Sequence, residues 1–597
     1  MSAGGPEAGR VVLAGGPAVA PARRPAREHG SSAPARVWRD YALPVTLTVL
    51  LILLTVVPVA AVLLGSVRPS GMPTMPGWTL SHYVEIWSSP FTYRLIGNTF
   101  VFALGSTLVA ISIAGVLAWL AERTDCWGRD FFSAALLIPM ATPPLLLAVG
   151  WVLLASPRIG ALPAIWDWAT GTSGGFFDIY SMGGMIFIQG LVAVPTSFYL
   201  LAPVMRNMDP SFEEAAFMSG ASFWQTLRRV SLPFLLPALT SLVTLLMIVG
   251  MLTFDVPAII GMPGQVHVMS SEIFNLMNPA GRLPEYGKSA ALNSSLFLLL
   301  AGALVVYYRA TRQKDRFATI GGKGYRATRF KLGRWRPVAF GFVVLYFTLA
   351  VLLPFLALLW VALLPYFSGF RWDIVHQLSP ATFVDVLSRP RVWRSAMNAM
   401  LVAVSSSIGI TILALLVAWT AVRSRLRWVG ILDALSMLPI AVPHLMMGVA
   451  LIFIFFTARF IPIYGTVWIV ALGHLIVFLP IASRMMQAAV MQIHRELEEA
   501  AATSGATSPQ TLRRIVLPLV RPAVVGLFIW MLVHSLREFS VSVMLLSGNN
   551  EVLSTVIYSF WESGEPASAA VIAIGMMIVL SGLVAIGNFR GLRTAHS

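Results

Sequence analysis

Two short stretches of the 597-residue chain carry the same residues at the same spacing. The first reads Glu214-Ala215-Ala216, three residues, Gly220, nine residues, then Val230-Ser231-Leu232-Pro233. The second reads Glu499-Ala500-Ala501, three residues, Gly505, nine residues, then Ile515-Val516-Leu517-Pro518. The polar group of each stretch is a carboxylate, and the small alanines beside it let another surface approach closely. Asp209-Pro210 suits a helix N-cap and first helical position. Glu213 and Glu214 complement the dipole of the first turn. Gly220 suits a left-handed cap. Ser222, and Thr507 or Ser508 before Pro509, start a second short helix whose end Arg228-Arg229 and Arg513-Arg514 complement. Pro233 and Pro518 lead into the next apolar run. The spacing therefore predicts a helix–turn–helix, made twice, with the small Ala pair leaving room for another surface.

A second set of reactive groups lies inside apolar runs, where ionisable side chains are costly and mark function by default. Asp255 stands in Thr253-Phe254-Asp255-Val256-Pro257, and His534, Arg537 and Glu538 stand in a later run. An offset of 285 aligns Phe254 with Phe539, which puts Asp255 and Glu538 at nearly equivalent depths. Two readings stay open. Both carboxylates can face a central pathway; or Arg537 and Glu538 pair or lie near an interface, while Asp255 caps a helix broken at Pro257. His444 and His474 are not joined by ligands at metal spacing and are read as packing or interface groups, so no metal site is expected. The 26 Met residues sit mostly in apolar runs and read as packing. The single cysteine, Cys126, excludes an internal disulfide and a cysteine zinc site.

The elements that position these residues follow from composition. The chain is 57% hydrophobic and only 11% charged, with a mean hydropathy of +0.77, against about 25% charged in soluble domains. Apolar runs exceed the roughly 20 residues that cross a bilayer as a helix. Twelve spans are predicted, at about 41–66, 97–121, 131–155, 183–205, 232–260, 289–308, 338–364, 396–421, 431–456, 465–483, 522–546 and 567–588. Residues 1–40 read as a disordered tail, 309–337 as a basic linker and 589–597 as a second tail. The first apolar run is too long for a signal peptide. Of 42 Lys and Arg, 31 fall in the loops on the side of the termini and linker, and ten in the opposite loops. That excess places both termini in the cytoplasm. It also accounts for the net charge of +16 without nucleic acid. The linker, from Arg309 to Arg336, reads as an anchor at anionic lipid heads. Its Gly322-Lys323 is no phosphate loop, because Phe317 and Gly324 stand where Gly and Ser/Thr are needed.

The halves repeat. Pro90, Arg94, Asn98, Ala118-Trp119, Arg123, Pro139 and Pro143 return at an offset of 300 as Pro390, Arg394, Asn398, Ala418-Trp419, Arg423, Pro439 and Pro443. The Glu-Ala-Ala stretches are 285 apart, so the first half carries about fifteen extra residues, placed near 157–182. The fold class is an all-α polytopic membrane protein of two tandem six-helix halves, 41–308 and 338–588, in parallel repeat. Such repeats place a pathway at their interface. Paired prolines predict kinks in spans three and nine.

The doubled stretch resembles the EAA loop of permease subunits of bacterial ATP-binding-cassette importers, whose pattern is Glu-Ala-Ala, three residues, Gly, nine residues, Ile, one residue, Leu-Pro. The second copy matches throughout; the first departs only at Val230. The resemblance implies the type I importer fold across nearly the whole chain. It implies that Glu214, Ala215, Ala216 and Gly220 form one coupling loop and Glu499, Ala500, Ala501 and Gly505 the other. Each would dock on one of two copies of a separate ATPase, which would use the ATP; the chain itself binds no cofactor and is not an enzyme. An extracytoplasmic solute-binding protein would dock on the outward loops, and the chain would sit in the bacterial inner membrane. Two halves in one chain, and the basic linker from Gly321 to Arg336, are similar to ferric iron permeases, while thiamine, phosphonate and polyamine systems use related ones. A secondary transporter would also be repeated but leaves the doubled loop unexplained. A membrane enzyme lacks clustered catalytic groups here.

Overall fold

The computed structural model describes residues 33–594 except 158–159, 172–176, 210, 312–329, 366–369, 371, 425 and 459. Residues 1–32 of the expected tail, most of the basic linker, Pro210 and residues 595–597 lie outside the described residues. Apolar runs become helices because, in hydrocarbon, each backbone N–H and C=O must be satisfied within its own segment. Ten helices are long and apolar enough to cross a membrane, or up to twelve if each of two bent pairs is one span.

The first half runs through α1 (Tyr41–Ser66), α2 (Pro90–Arg123), α3 (Arg129–Ala141), α4 (Pro144–Ala155), α5 (Ala161–Thr170), α6 (Met182–Asn207), α7 (Ser211–Met218), α8 (Trp224–Leu252), α9 (Met269–Met277) and α10 (Tyr286–Thr311). The second runs through α11 (Gly333–Ala362), α12 (Pro390–Arg423), α13 (Arg427–Ala441), α14 (His444–Thr457), α15 (Val467–Met491), α16 (Arg495–Thr503), α17 (Ser508–Arg537), α18 (Ser540–Met544), α19 (Leu553–Glu562) and α20 (Pro566–Thr594). Helix α5 occupies the extra segment of the first half.

Several boundaries differ from the sequence reading. Helical structure begins at Ala33, inside the expected tail, because Pro34 falls in the first turn, where its missing N–H costs nothing. Helix α20 continues past 588 to Thr594, and α10 runs past 308 to Thr311. Spans three and nine are broken rather than kinked: α3 meets α4 at 89° and α13 meets α14 at 106°. Pro143 and Pro443 disfavour helical backbone at the residue before them, and Thr142 and Val442 are accordingly extended. Spans five and eleven are not continuous either. Helices α8 and α17 stop at Leu252 and Arg537, where Thr253 and Glu538 turn extended.

The halves are interlocked through their first spans. Helix α1 packs on α10 of its own half and on α13 and α14 of the other, and α11 packs on α4. Leu47 and Leu51 are buried with Leu413, Val417, Leu432 and Leu479. Across the second crossing, the Trp151 indole donates to the Leu349 carbonyl at 3.1 Å. Gly150 lets the helices meet there, since a Cβ on it would lie 2.7 Å from the Pro354 Cβ.

Candidate functional site

The doubled loops share one geometry. Helices α7 and α16 end at Gly220 and Gly505, with φ of +82° and +84°. The cap is closed by Ala221 N–H to the Ala216 carbonyl at 3.0 Å and Ala506 N–H to the Ala501 carbonyl at 2.9 Å, a left-handed helix terminus. The Asp209 carboxylate accepts from the Ser211 N–H at 2.9 Å. The next helices open on Ser222 N–H to Gln225 at 2.9 Å and Thr507 N–H to Gln510 at 2.8 Å. The separate second helix expected here is not formed. It continues through a π turn, Leu227–Ser231 or Leu512–Val516, straight into the membrane helix. The wider turn accommodates Pro233 and Pro518, which lack an N–H. Arg228-Arg229 and Arg513-Arg514 therefore lie mid-helix and complement no helix end. Glu499, Ala215, Ala500, Gly220 and Gly505 are exposed, Glu214 and Ala216 half-buried and Ala501 buried. Phe212, Met218 and Trp224 widen the exposed surface of the first loop.

One residue before each motif stands a further carboxylate; the sequence reading gives Glu213 a dipole role and assigns none to Glu498. The structure gives Glu213 and Glu498 specific partners. Arg123, at the end of α2, meets Glu213 at 2.6 Å, and Arg423, at the end of α12, meets Glu498 at 2.7 Å. The sequence signal is that both members recur, the arginines at the offset of 300 and the glutamates at 285.

The end of the linker lies beside the first loop. The Phe330 N–H donates to the Arg123 carbonyl at 2.9 Å, and its ring neighbours Trp119 and Phe217. Asp125 accepts from the Leu332 N–H at 2.9 Å and pairs with Arg336 at 2.5 Å. These two donors hold the Asp125 carboxyl below its ordinary range. A depressed carboxylate favours the docked state above its free pKa of about 3.9, and the advantage is lost as pH falls through the lowered value. Asp125→Ala is expected to speed hydrogen exchange at the Leu332 amide about tenfold or more at neutral pH. Wild type should approach the variant only on acidification; equal rates at pH 7 would remove the role given to Asp125.

The other residues gather where the halves meet. Phe254 and Phe539, equivalent by the offset of 285, stack with centroids 5.8 Å apart and planes 7° apart. Residues related by a twofold touch each other only at its axis, so this stack marks the pseudo-twofold seam. Phe274 and Tyr558 close around it, at 4.9 Å from Phe254 and 5.1 Å from Phe539. All four rings are buried. The stretch of α8 from Leu232 to Leu252 is about 30 Å long at 1.5 Å per residue. That puts the stack towards the face opposite the loops.

Around the stack the halves differ. Glu538 is buried; one oxygen lies 3.3 Å from His444 Nδ1 and the other 3.2 Å from His474 Nε2. It also accepts from the Val541 N–H at 2.9 Å, capping α18. His474 Nδ1 bonds Ser535 at 2.7 Å, and Ser535 bonds Ser406 at 3.0 Å. Both histidines are thus carboxylate partners, not the packing or interface groups expected. In the first half Thr253 and Gln189 occupy the equivalent positions of Glu538 and His474, with only a 3.4 Å hydrogen bond between them. Arg537 does not turn to Glu538; it donates to the Met140 carbonyl at the broken end of α3, where a cation meets the helix dipole. Asp255 is half-buried within electrostatic reach of Glu538, Arg537 and His444. A cavity of about 200 Å³ opens beside this tie, lined by Met140, Ala141, Trp530, Val533 and His534 among others. Among the described residues no group of three or more His, Cys, Asp or Glu is arranged to hold a metal ion.

Two segments, 113–311 and 410–590, match the family described as "Binding-protein-dependent transport system inner membrane component". The chain belongs to this family. Each match spans one broken helix pair and one doubled loop, so the chain is a fused, two-half permease of the ATP-binding-cassette importer class, a multi-pass inner-membrane protein. The permease is 26% identical over 513 residues to the ferric transport system permease protein FbpB of Actinobacillus pleuropneumoniae, covering 83% of this chain and 71% of that one. It is 23% identical to the Fe(3+)-transport system permease protein FbpB 2 of Haemophilus influenzae, over 84% of this chain and 91% of that one. It is also 31% identical over 214 residues to the sulfate transport system permease protein CysT of Salmonella typhimurium, covering 34% of this chain and 77% of that one.

Proposed function

We propose that this permease carries ferric iron into the cytoplasm, driven by ATP hydrolysis on a separate ATPase and supplied by an extracytoplasmic binding protein. The observation that carries the drive is the doubled loop: two exposed helix–turn–helices with the same caps and the same spacing. One ATPase copy docks on Glu214, Ala215, Ala216 and Gly220, and a second on Glu499, Ala500, Ala501 and Gly505. The loop face, with both termini, is then cytoplasmic, as the excess of basic residues supports. Closure of the ATPases rocks the halves about the seam, and the cargo passes beside Asp255 and Glu538. The ferric assignment is supported by relatives that span most of the chain, and selection of iron is left to the binding protein.

Reconstitution in proteoliposomes with the ATPase and binding protein tests this reading. Uptake of radiolabelled ferric iron is expected only with ATP inside and iron-loaded binding protein outside. ATP-independent uptake would make the chain a secondary transporter. A binding protein that arrives holding thiamine, a phosphonate, a polyamine or sulfate would replace iron as the cargo.

A further inference from the structure

We infer that the Arg123–Glu213 and Arg423–Glu498 pairs are positioning residues of the transport cycle. Each joins a coupling helix to the end of the adjacent long membrane helix as one moving body. The inference rests on the coupling reading above and adds how a push on the loop reaches the membrane.

The chain alone supplies a weak connection. Met208 and Asp209 follow the end of α6 in non-helical backbone before α7, and Gln492, Ile493 and His494 do the same between α15 and α16. Such short non-helical links bend when pushed. The arginines bridge them. Arg123 donates to the Met208 carbonyl at 3.0 Å while holding Glu213. Arg423 donates to the Val490 and Ile493 carbonyls at 3.2 and 2.7 Å while holding Glu498. Three segments therefore converge on one guanidinium in each half: the long helix that carries it, the end of the preceding span, and the coupling helix. The fork geometry of arginine fixes direction as well as charge. Arg123 has only 4% of its side chain exposed, and Arg423 has 12%. Solvent therefore does not substitute readily for a lost partner.

The surroundings of the pair have changed between halves while the pair has stayed. The other oxygen of Glu213 takes the Ser231 hydroxyl at 2.6 Å, at the start of the membrane stretch of α8. Val516 stands at the corresponding place in the second half, and Glu498 instead takes the Trp419 indole at 3.2 Å, one turn up α12. Both loops are tied to their long helix, and Glu213 ties the first to its fifth span as well.

The test uses spin labels on equivalent lipid-exposed positions of α2 and α12, Leu108→Cys and Ile408→Cys, in a Cys126→Ser chain. The distance between them is read with and without a non-hydrolysable ATP analogue, in the complex with bound ATPases. Wild type is expected to show a nucleotide-dependent change. Glu213→Gln with Glu498→Gln should keep both ATPases at full stoichiometry and lose most of that change. Arg123→Lys with Arg423→Lys, which keeps charge and loses the fork, should fall between; if the Gln pair does not insert, this variant decides. An unaltered distance change in the variants overturns the inference, as does its absence in wild type. Loss of the ATPases also overturns it, because the pair would then belong to the docking surface. Failure of the coupling reading shows separately, as full ATPase binding by a Glu214→Arg, Glu499→Arg chain.

Discussion

Glu214→Arg combined with Glu499→Arg is expected to abolish ATP-driven uptake while the protein still inserts in the membrane. Glu214 lies in the first turn of a short helix, so its reversal sets a cation against the positive end of the dipole. The larger effect is at the ATPase. If the loops dock as proposed, breaking a buried charge pair in that interface costs about 2–5 kcal/mol, or roughly 30- to 4,000-fold in affinity for each loop. Two loops lost together leave nothing to transmit ATPase closure. Neither glutamate lies in the interlocked core, so span assembly should be unaffected. Co-purification of the ATPase and uptake in vesicles are the measurements. Full transport by the double variant would end the coupling reading.

Phe254→Ala combined with Phe539→Ala is expected to open an ATP-independent leak. The two rings stack at the seam and two further aromatic rings close around them. Truncating both leaves a void on the axis instead of a seal. Phe→Ala in a packed core costs about 3–5 kcal/mol, so the variant should also unfold at lower temperature in detergent. Leakiness is separable from instability: Phe254→Leu with Phe539→Leu keeps most of the volume and should keep vesicles tight. Release of a trapped small ion from proteoliposomes reads the leak. Tight vesicles with the double alanine variant would show that the stack is ordinary packing.

Much of this architecture was written plainly in the chain. Apolar runs mark helices because the bilayer permits little else, and Gly220 and Gly505 stop their helices where the spacing said they would. Prolines 143 and 443 marked the right places but not the size of the bend, since a kink and a right-angled break share the same sequence. The ends of α8 and α17 were not legible, because neither Thr253 nor Glu538 is a helix breaker and tertiary packing decides there. Contacts distant in sequence were hidden for a related reason. Arg123 and Glu213 are 90 residues apart, and His444 and Glu538 are 94 apart. Periodicity reports which face of a helix is apolar; it does not report which polar groups two faces bring together.

The crossing of the first spans has a consequence for biosynthesis. Leu51 is buried against Leu413, Val417, Leu432 and Leu479, residues that do not yet exist when α1 leaves the ribosome. At about 5–20 residues per second, α1 waits roughly 20 to 70 seconds for the first of them. Over that interval the face meant for the second half sits in lipid, and α10 of its own half is the first neighbour to pack on the helix. The second half meets no such delay, because α4 is already present when α11 emerges. Assembly is therefore ordered by translation: α11 closes on a finished neighbour, and α1 meets its second-half partners only once the chain has passed Leu479. A ribosome that stops early leaves a first half whose Leu47 and Leu51 lack their second-half partners.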